Sequence, residues 1–159
     1  MKQLIVVLLM FTAMNASAQW VQTSGPGGGT VNCFAVSGTK IFAGTHDGGI
    51  FLTTNNGTSW TAVNNGLSKL LIRTLAVSGS NIFAGTANDG GIFLTTNYGI
   101  SWTEVNNGLT DKSVWSLAVS GSNIFAGTGY GGVFLSSNNW QGEGNSHGFL
   151  LFNREVAEP

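Results

Sequence analysis

From Val31 onward the chain is written in short apolar runs separated by corners. Asn32 to Val36 is closed by Ser37-Gly38, and Lys40 to Thr45 by His46-Asp47-Gly48. Gly49 to Thr54 is closed by Asn55-Asn56-Gly57, and Ser59 to Val63 by Asn64-Asn65-Gly66. Runs of this length, rich in Ile, Phe, Val and Thr and bounded by Gly, Asn, Asp and Ser, are predicted to be β-strands joined by tight turns. No window beyond residue 18 carries apolar residues at helical spacing. The whole pattern then recurs. FAVSGTKIFAGTHDGGIFLTTNNGTSWTAVNNGL spans Phe34 to Leu67, LAVSGSNIFAGTANDGGIFLTTNYGISWTEVNNGL spans Leu75 to Leu109, and LAVSGSNIFAGTGYGGVFLSSNN spans Leu117 to Asn139. Ala35, Ala76 and Ala118 are equivalent, so the period is 41 to 42 residues.

Four short antiparallel strands in one such period match a blade of a β-propeller. A β-solenoid favours shorter repeats, and a sandwich has no reason to repeat its sequence. The fold class predicted is therefore all-β, with about three blades over residues 19–140, in units near 31–67, 72–109 and 114–140. Trp20 to Thr23, WVQT, resembles the start of a fourth strand like Trp60-Thr61-Ala62-Val63. The spacing agrees: Trp20 lies 15 residues before Ala35, and Trp60 lies 16 before Ala76. Three blades are fewer than the usual number, about four to eight. An open arc, two copies joined as a homodimer completing a six-bladed ring, and the front part of a longer propeller all fit. After Asn139 nothing matches the upstream units, and residues 141–159 form a divergent tail. Such a tail fits truncation or a change of frame somewhat better than a capping segment whose Gly148 to Asn153 run blunts a sheet edge.

One phrase stands out in each unit: TTNNGTSW, Thr53 to Trp60, and TTNYGISW, Thr95 to Trp102. It falls where the third strand turns into the fourth. Asn55 and Asn97 can accept backbone N–H bonds in an Asx-type arrangement. Gly57 and Gly99 can take positive φ without steric cost. The Thr53 and Thr95 hydroxyls can add local bonds, and Trp60 and Trp102 can lie against the hairpin or the next blade. In the third unit the phrase degenerates to SSNNWQGE, keeping Ser136 and Asn138. The pattern Thr-x-Asn-x-Gly-x-x-Trp resembles the Asp-box, or bacterial neuraminidase repeat, with Asn in the Asp position. The resemblance covers about Val31 to Asn139. It implies a propeller akin to the repeats of sialidases, xyloglucanases, sortilin-type receptors and the photosystem II assembly factor. In that family the box is structural, so the resemblance implies no catalytic residue here.

Sialidases grip a carboxylate with three arginines and use a Tyr–Glu pair with an acid Asp. This chain offers only Arg73 and Arg154, and its tyrosines, Tyr98 and Tyr130, fall in loops. A carboxylate pair for glycoside hydrolysis would have to come from Asp47, Asp89, Asp111, Glu104, Glu143, Glu155 or Glu158. Asp47 and Asp89 occupy near-equivalent turns, which suggests turn chemistry. Asp47-Gly48 and Asp89-Gly90 offer one carboxylate per turn, thin for calcium. Cys33 with the distant His46 and His147 makes no zinc site, and no metal or cofactor is expected. Gly25-Pro26-Gly27-Gly28-Gly29 lacks the helix and the Gly-Lys-Ser/Thr ending of a phosphate loop and is expected to be a flexible connector. Asn56-Gly57-Thr58 is a glycosylation sequon by pattern alone.

Charge narrows the partners. Six Lys and Arg against seven Asp and Glu give a net charge of -1, without a basic patch. Nucleic acid, held through many cationic contacts to phosphate, is not an expected partner. Lys2, the apolar run Leu4 to Met14 and the Ala16-Ser17-Ala18 ending describe a secretory signal peptide over residues 1–18, cut near Ala18. The mature chain is then expected to be secreted or periplasmic, with no membrane attachment. The function expected is an exported, non-catalytic propeller binding an unknown protein or glycan. A glycosidase fragment of sialidase or xyloglucanase type is the alternative, and a photosystem II assembly-factor role is a third.

Overall fold

The computed structural model describes residues 19–137. The signal-peptide segment, the tail and Asn138 lie outside the described residues. Within them the chain is all-β, in three antiparallel sheets of 4, 4 and 3 strands. Blade 1 holds β1 (Val31–Ser37), β2 (Lys40–Thr45), β3 (Ile50–Thr53) and β4 (Thr61–Ala62) in that spatial order. Blade 2 repeats the order with β5 (Ile72–Ser78), β6 (Asn81–Thr86), β7 (Gly91–Thr95) and β8 (Thr103–Glu104). Blade 3 holds β9 (Val114–Ser120), β10 (Asn123–Thr128) and β11 (Val133–Ser136), with β11 at the edge. A sheet of such short strands cannot bury an apolar face by itself, so the blades pack face to face.

Register repeats faithfully. Phe42 stands opposite Ala35 and Leu52 in blade 1, and Phe83 opposite Ala76 and Leu94 in blade 2. The first strands adjoin one another, β1 against β5 and β5 against β9, and so form the inner side of the fan. Close approach there needs glycine. A Cβ on Gly44 would stand 2.6 Å from Ile72 of the next blade, and one on Gly85 would stand 2.7 Å from Val114.

Two cores result, each lying between adjacent blades. The first joins Ala35, Phe42 and Ile50 of blade 1 to Ile72, Leu75, Ile82, Phe93 and Trp102 of blade 2. The second joins Phe83 and Ile92 of blade 2 to Val114, Ile124, Ala126 and Phe134 of blade 3. Alternation along each strand thus serves two faces: a trailing face toward the next blade and a leading face toward the one before.

The structure corrects several expectations. The fourth strands shrink to two residues, Thr61–Ala62 and Thr103–Glu104. Their flanks are drawn off into corner and linker bonds. Trp20 to Thr23 is not a strand, and Trp20 is almost wholly exposed, because no described strand lies beside it. The indole of Trp102 packs on the preceding blade rather than the next. The glycine stretch is not a free connector: Gly28 lies directly against Gly48, and the Gly28 and Thr30 carbonyls accept the Asp47 and His46 N–H groups at 3.3 and 2.9 Å.

Candidate functional site

The corner phrase builds a closed hydrogen-bond unit. The buried Thr53 Oγ1 donates to Asn55 Oδ1 at 2.9 Å and accepts the Gly57 N–H at 3.0 Å. Asn55 Oδ1 also accepts the Ser59 N–H at 3.0 Å, and Asn55 Nδ2 donates to Ser59 Oγ at 2.9 Å. Blade 2 repeats each bond with Thr95, Asn97, Gly99 and Ser101, at 2.8 to 3.0 Å. Asn56 and Gly57 both adopt positive φ, 54° and 82°, as do Tyr98 and Gly99, 57° and 86°. Tyr98 carries the less comfortable left-handed backbone, with the Lys40 ammonium 4.4 Å from its ring centroid. Ser136 is buried in β11. Ser59 and Ser101 were missed as members of this corner unit; their recurrence one residue before each Trp was the available signal.

The tryptophans part company. Trp102 is buried, and its Nε1 donates to the Val63 carbonyl of blade 1 at 2.7 Å. Trp60 lies partly buried beside Phe34, ring centroids 6.5 Å apart, and its Nε1 is buried without a partner among the described residues.

The opposite end of the blades is made by the β2–β3 turns and the blade-to-blade linkers. Asn64 Oδ1 accepts the Ile50 N–H at 2.7 Å and its Nδ2 donates to the Gly48 carbonyl at 2.8 Å. Asn106 does the same for Ile92 and Gly90, at 2.6 and 3.2 Å. Thr45, Thr86 and Thr128 tie the turns shut by donating to the carbonyls of Gly49, Gly91 and Gly132. These roles were also missed, though each residue recurs at a fixed place in its unit.

Charge and exposed aromatics gather at this linker end. Each first strand carries a β-bulge there, at Asn32, Arg73 and Trp115. A bulge turns its side chain out of the pleat. The three equivalent positions hold three different chemistries: an amide donating to the Ile72 carbonyl at 2.8 Å, a guanidinium and an indole. The Arg73 guanidinium carbon stands 4.8 Å from the centre of the Trp115 ring, and the Arg73 Nε is buried without a partner among the described residues. Trp115 is 56% exposed, and its Nε1 edge lies beside Gly129, next to the fully exposed Tyr130. Asp111 closes the cluster. Its carboxylate accepts the N–H groups of Tyr130 at 2.6 Å, Gly131 at 2.7 Å and Ser113 at 3.0 Å. Those bonds, led by that from Tyr130, hold its pKa below the ordinary carboxylate range.

The other described carboxylates take part in local contacts or turns. Glu104 meets Asn106 and Lys112, Asp47 meets His46 Nδ1 at 2.8 Å, and Asp89 sits at positive φ in its turn. Among the described residues no group of three or more His, Cys, Asp or Glu side chains converges. Burial pushes the Cys33 thiol up to about 11, so at neutral pH it stays protonated.

Fanned antiparallel sheets of up to four strands, stapled by corner and linker, define a β-propeller domain, here a partial one. The chain belongs to the family described as the DUF6242 beta propeller domain, which matches residues 7–123. No curated protein matches it. The crystal structure of an ancestral GH74 enzyme is similar over 79% of this chain and 19% of its own, with a TM-score of 0.59 at 24% identity. The computationally designed Ika8 protein is similar over 66% of this chain and 32% of its own, with a TM-score of 0.50 at 18% identity. The chain thus spans about a fifth of the GH74 enzyme's length. At these identities the likeness bears on fold.

Proposed function

We propose that this propeller is an exported, non-catalytic module whose linker end binds a protein or glycan, and that its corners are Asp-box repeats with Asn standing for Asp. The observation that carries the binding role is the Arg73–Trp115 stack beside Tyr130. An exposed indole offers a flat apolar face for a sugar ring or an aromatic side chain. The guanidinium behind it adds N–H donors to a ligand oxygen. The paired or turn-bound state of Asp111, Glu104 and Asp47 supports binding over hydrolysis, which needs two carboxyl groups facing one cleft. The local bonds of Thr53, Asn55 and Ser59 support the box assignment. The likeness to a GH74 enzyme favours a second reading, a fragment of a sialidase- or xyloglucanase-like glycosidase.

A glycan array and a pull-down from culture fluid, each run with the intact protein and with Trp115→Ala, test the module. Trp115→Ala is expected to weaken retention about tenfold or more, which corresponds to about 1.4 kcal/mol, with an unchanged circular dichroism spectrum. Turnover of sialosides or xyloglucan fragments, abolished by replacing a single carboxylate, would establish the glycosidase reading instead.

A further inference from the structure

We propose that two copies of this chain close into one six-bladed ring. In it the trailing face of blade 3 of each copy seats on the leading face of blade 1 of the other. Trp20 to Thr23 of each copy becomes the fourth strand of the other's blade 3.

The two outer faces repeat the surfaces that bind each other inside the chain. Ala35, Phe42 and Ile50 are buried against blade 2, and Ala76, Phe83 and Ile92 against blade 3. Their equivalents in blade 3 are Ala118, Phe125 and Val133, and here Phe125 is 36% and Val133 67% exposed. On the leading side, Leu75, Ile82, Phe93 and Trp102 fit into blade 1. Their equivalents in blade 1 are Phe34, Ile41, Phe51 and Trp60, and Phe34 is 59% exposed. Side chains that interlock twice within the chain thus stand ready to interlock a third time, trailing face to leading face.

The N-terminal segment marks the path that the outer strand of a preceding blade would take. Thr23 packs on Gly57 as Val63 of blade 1 packs on Gly99 of blade 2, each 3.0 Å from the glycine's Cβ position. Gly28 lies at Gly48 as Lys69 lies at Gly90. The Thr30 carbonyl accepts the His46 N–H as the Leu71 carbonyl accepts the Ala87 N–H. Residues 23–30 therefore follow the path of a linker leaving a preceding blade, and Trp20 to Thr23 take the place of that blade's fourth strand. The chain's own blade 3 cannot receive them, because blade 2 lies between it and blade 1. A second copy can.

The register follows from the repeats. Leu52 pairs with Thr61 and Leu94 with Thr103, so Leu135 at the edge of blade 3 pairs with the partner's Val21, and Phe134 with the partner's Gln22. Holding that segment as a strand brings the Thr23 carbonyl to Trp60 Nε1, the bond Trp102 already makes to Val63. The contact joins unlike faces, and a two-fold axis along the ring closes it with two copies. Six blades fall within the range of about four to eight found in closed propellers.

Sedimentation of the full chain across a dilution series is expected to show twice the chain mass as the limiting species. Val133→Glu, a substitution on a surface exposed in the single chain, is expected to keep the β-sheet spectrum and raise the dissociation midpoint about tenfold or more, since assembly would bury the charge. Val21→Cys combined with Leu135→Cys is expected to cross-link two chains on mild oxidation, while either single variant does not. A single-chain mass at every concentration, a mass that climbs without limit, or a cross-link closed within one chain would each overturn the proposal.

Discussion

The indole Nε1 of Trp102 donates to the main-chain carbonyl of Val63, 39 residues earlier and in the neighbouring blade, at 2.7 Å. The Trp102 N–H also donates to the Asn65 carbonyl at 2.8 Å. A corner residue of one sheet thereby fixes the outer strand of the sheet before it. Trp102→Ala removes packing and bond together and is expected to cost about 3–5 kcal/mol. Trp102→Phe keeps much of the packing, and loss of the bond is expected to cost about 1 kcal/mol of that. Urea unfolding midpoints separate the two; equal losses would show that the bond does not act apart from the packing.

The corner chemistry makes a sharper demand. Thr53→Val leaves the buried Gly57 N–H without its acceptor and is expected to destabilise by about 1–3 kcal/mol. Asn55→Ala removes the acceptor of the Ser59 N–H and is expected to cost about 1 kcal/mol. Asn55→Asp keeps that acceptor, and the Ser59 hydroxyl can turn to donate, so a change within about 0.5 kcal/mol is expected. Thermal melts of the three variants check this. An Asp variant as damaged as the Ala variant would mean that Nδ2, not Oδ1, holds the corner.

Asp111 should make the third blade sensitive to acid. Its pKa is held below the ordinary value, first by the Tyr130 N–H and then by Ser113. A depressed carboxylate contributes stability that is complete above its unfolded value, about 3.9, and is lost as pH falls through the folded one. Loosening of the Tyr130–Gly131 turn is therefore expected below about pH 4. Tyrosine fluorescence and melting temperature followed into acid should show a shallower loss in Asp111→Asn. Identical acid slopes would rule the carboxylate out as the cause.

Cys33 is the counter-case. Burial among Gly44 and Ile72 raises its pKa to about 11, so the folded state favours the neutral thiol. That contribution is complete below the unfolded value and fades as pH rises through the folded one. Alkylation by iodoacetamide at neutral pH is expected to run about tenfold or more slower in the folded chain than in urea, because the thiolate is the nucleophile. Equal rates would show that the thiol is neither buried nor perturbed.

Particular residues show how far the sequence was legible. The run Lys40 to Thr45 appears as a strand with those same limits, because corners close both its ends. The run Ser59 to Val63 does not. Ser59 is claimed by Asn55, and Val63 donates its N–H to Ile50 as the chain leaves for the linker. Arg73 and Trp115 were visible as residues but not as neighbours, since a bulge is a backbone event decided by strand pairing across the sheet.

The amino-acid sequence by itself determined the repeating corner, the strand count per blade and the all-β class. These depend on hydrogen bonds and turn conformations that close within a few residues. Tertiary structure alone decided what each copy of the repeat does. Phe42 and Phe83 are buried and Phe125 is partly exposed, although the three occupy the same place in the same phrase. Trp60 and Trp102 likewise differ only in what stands beside them. Burial is a property of the neighbouring blade, and a repeat written identically carries no record of which neighbour it will have.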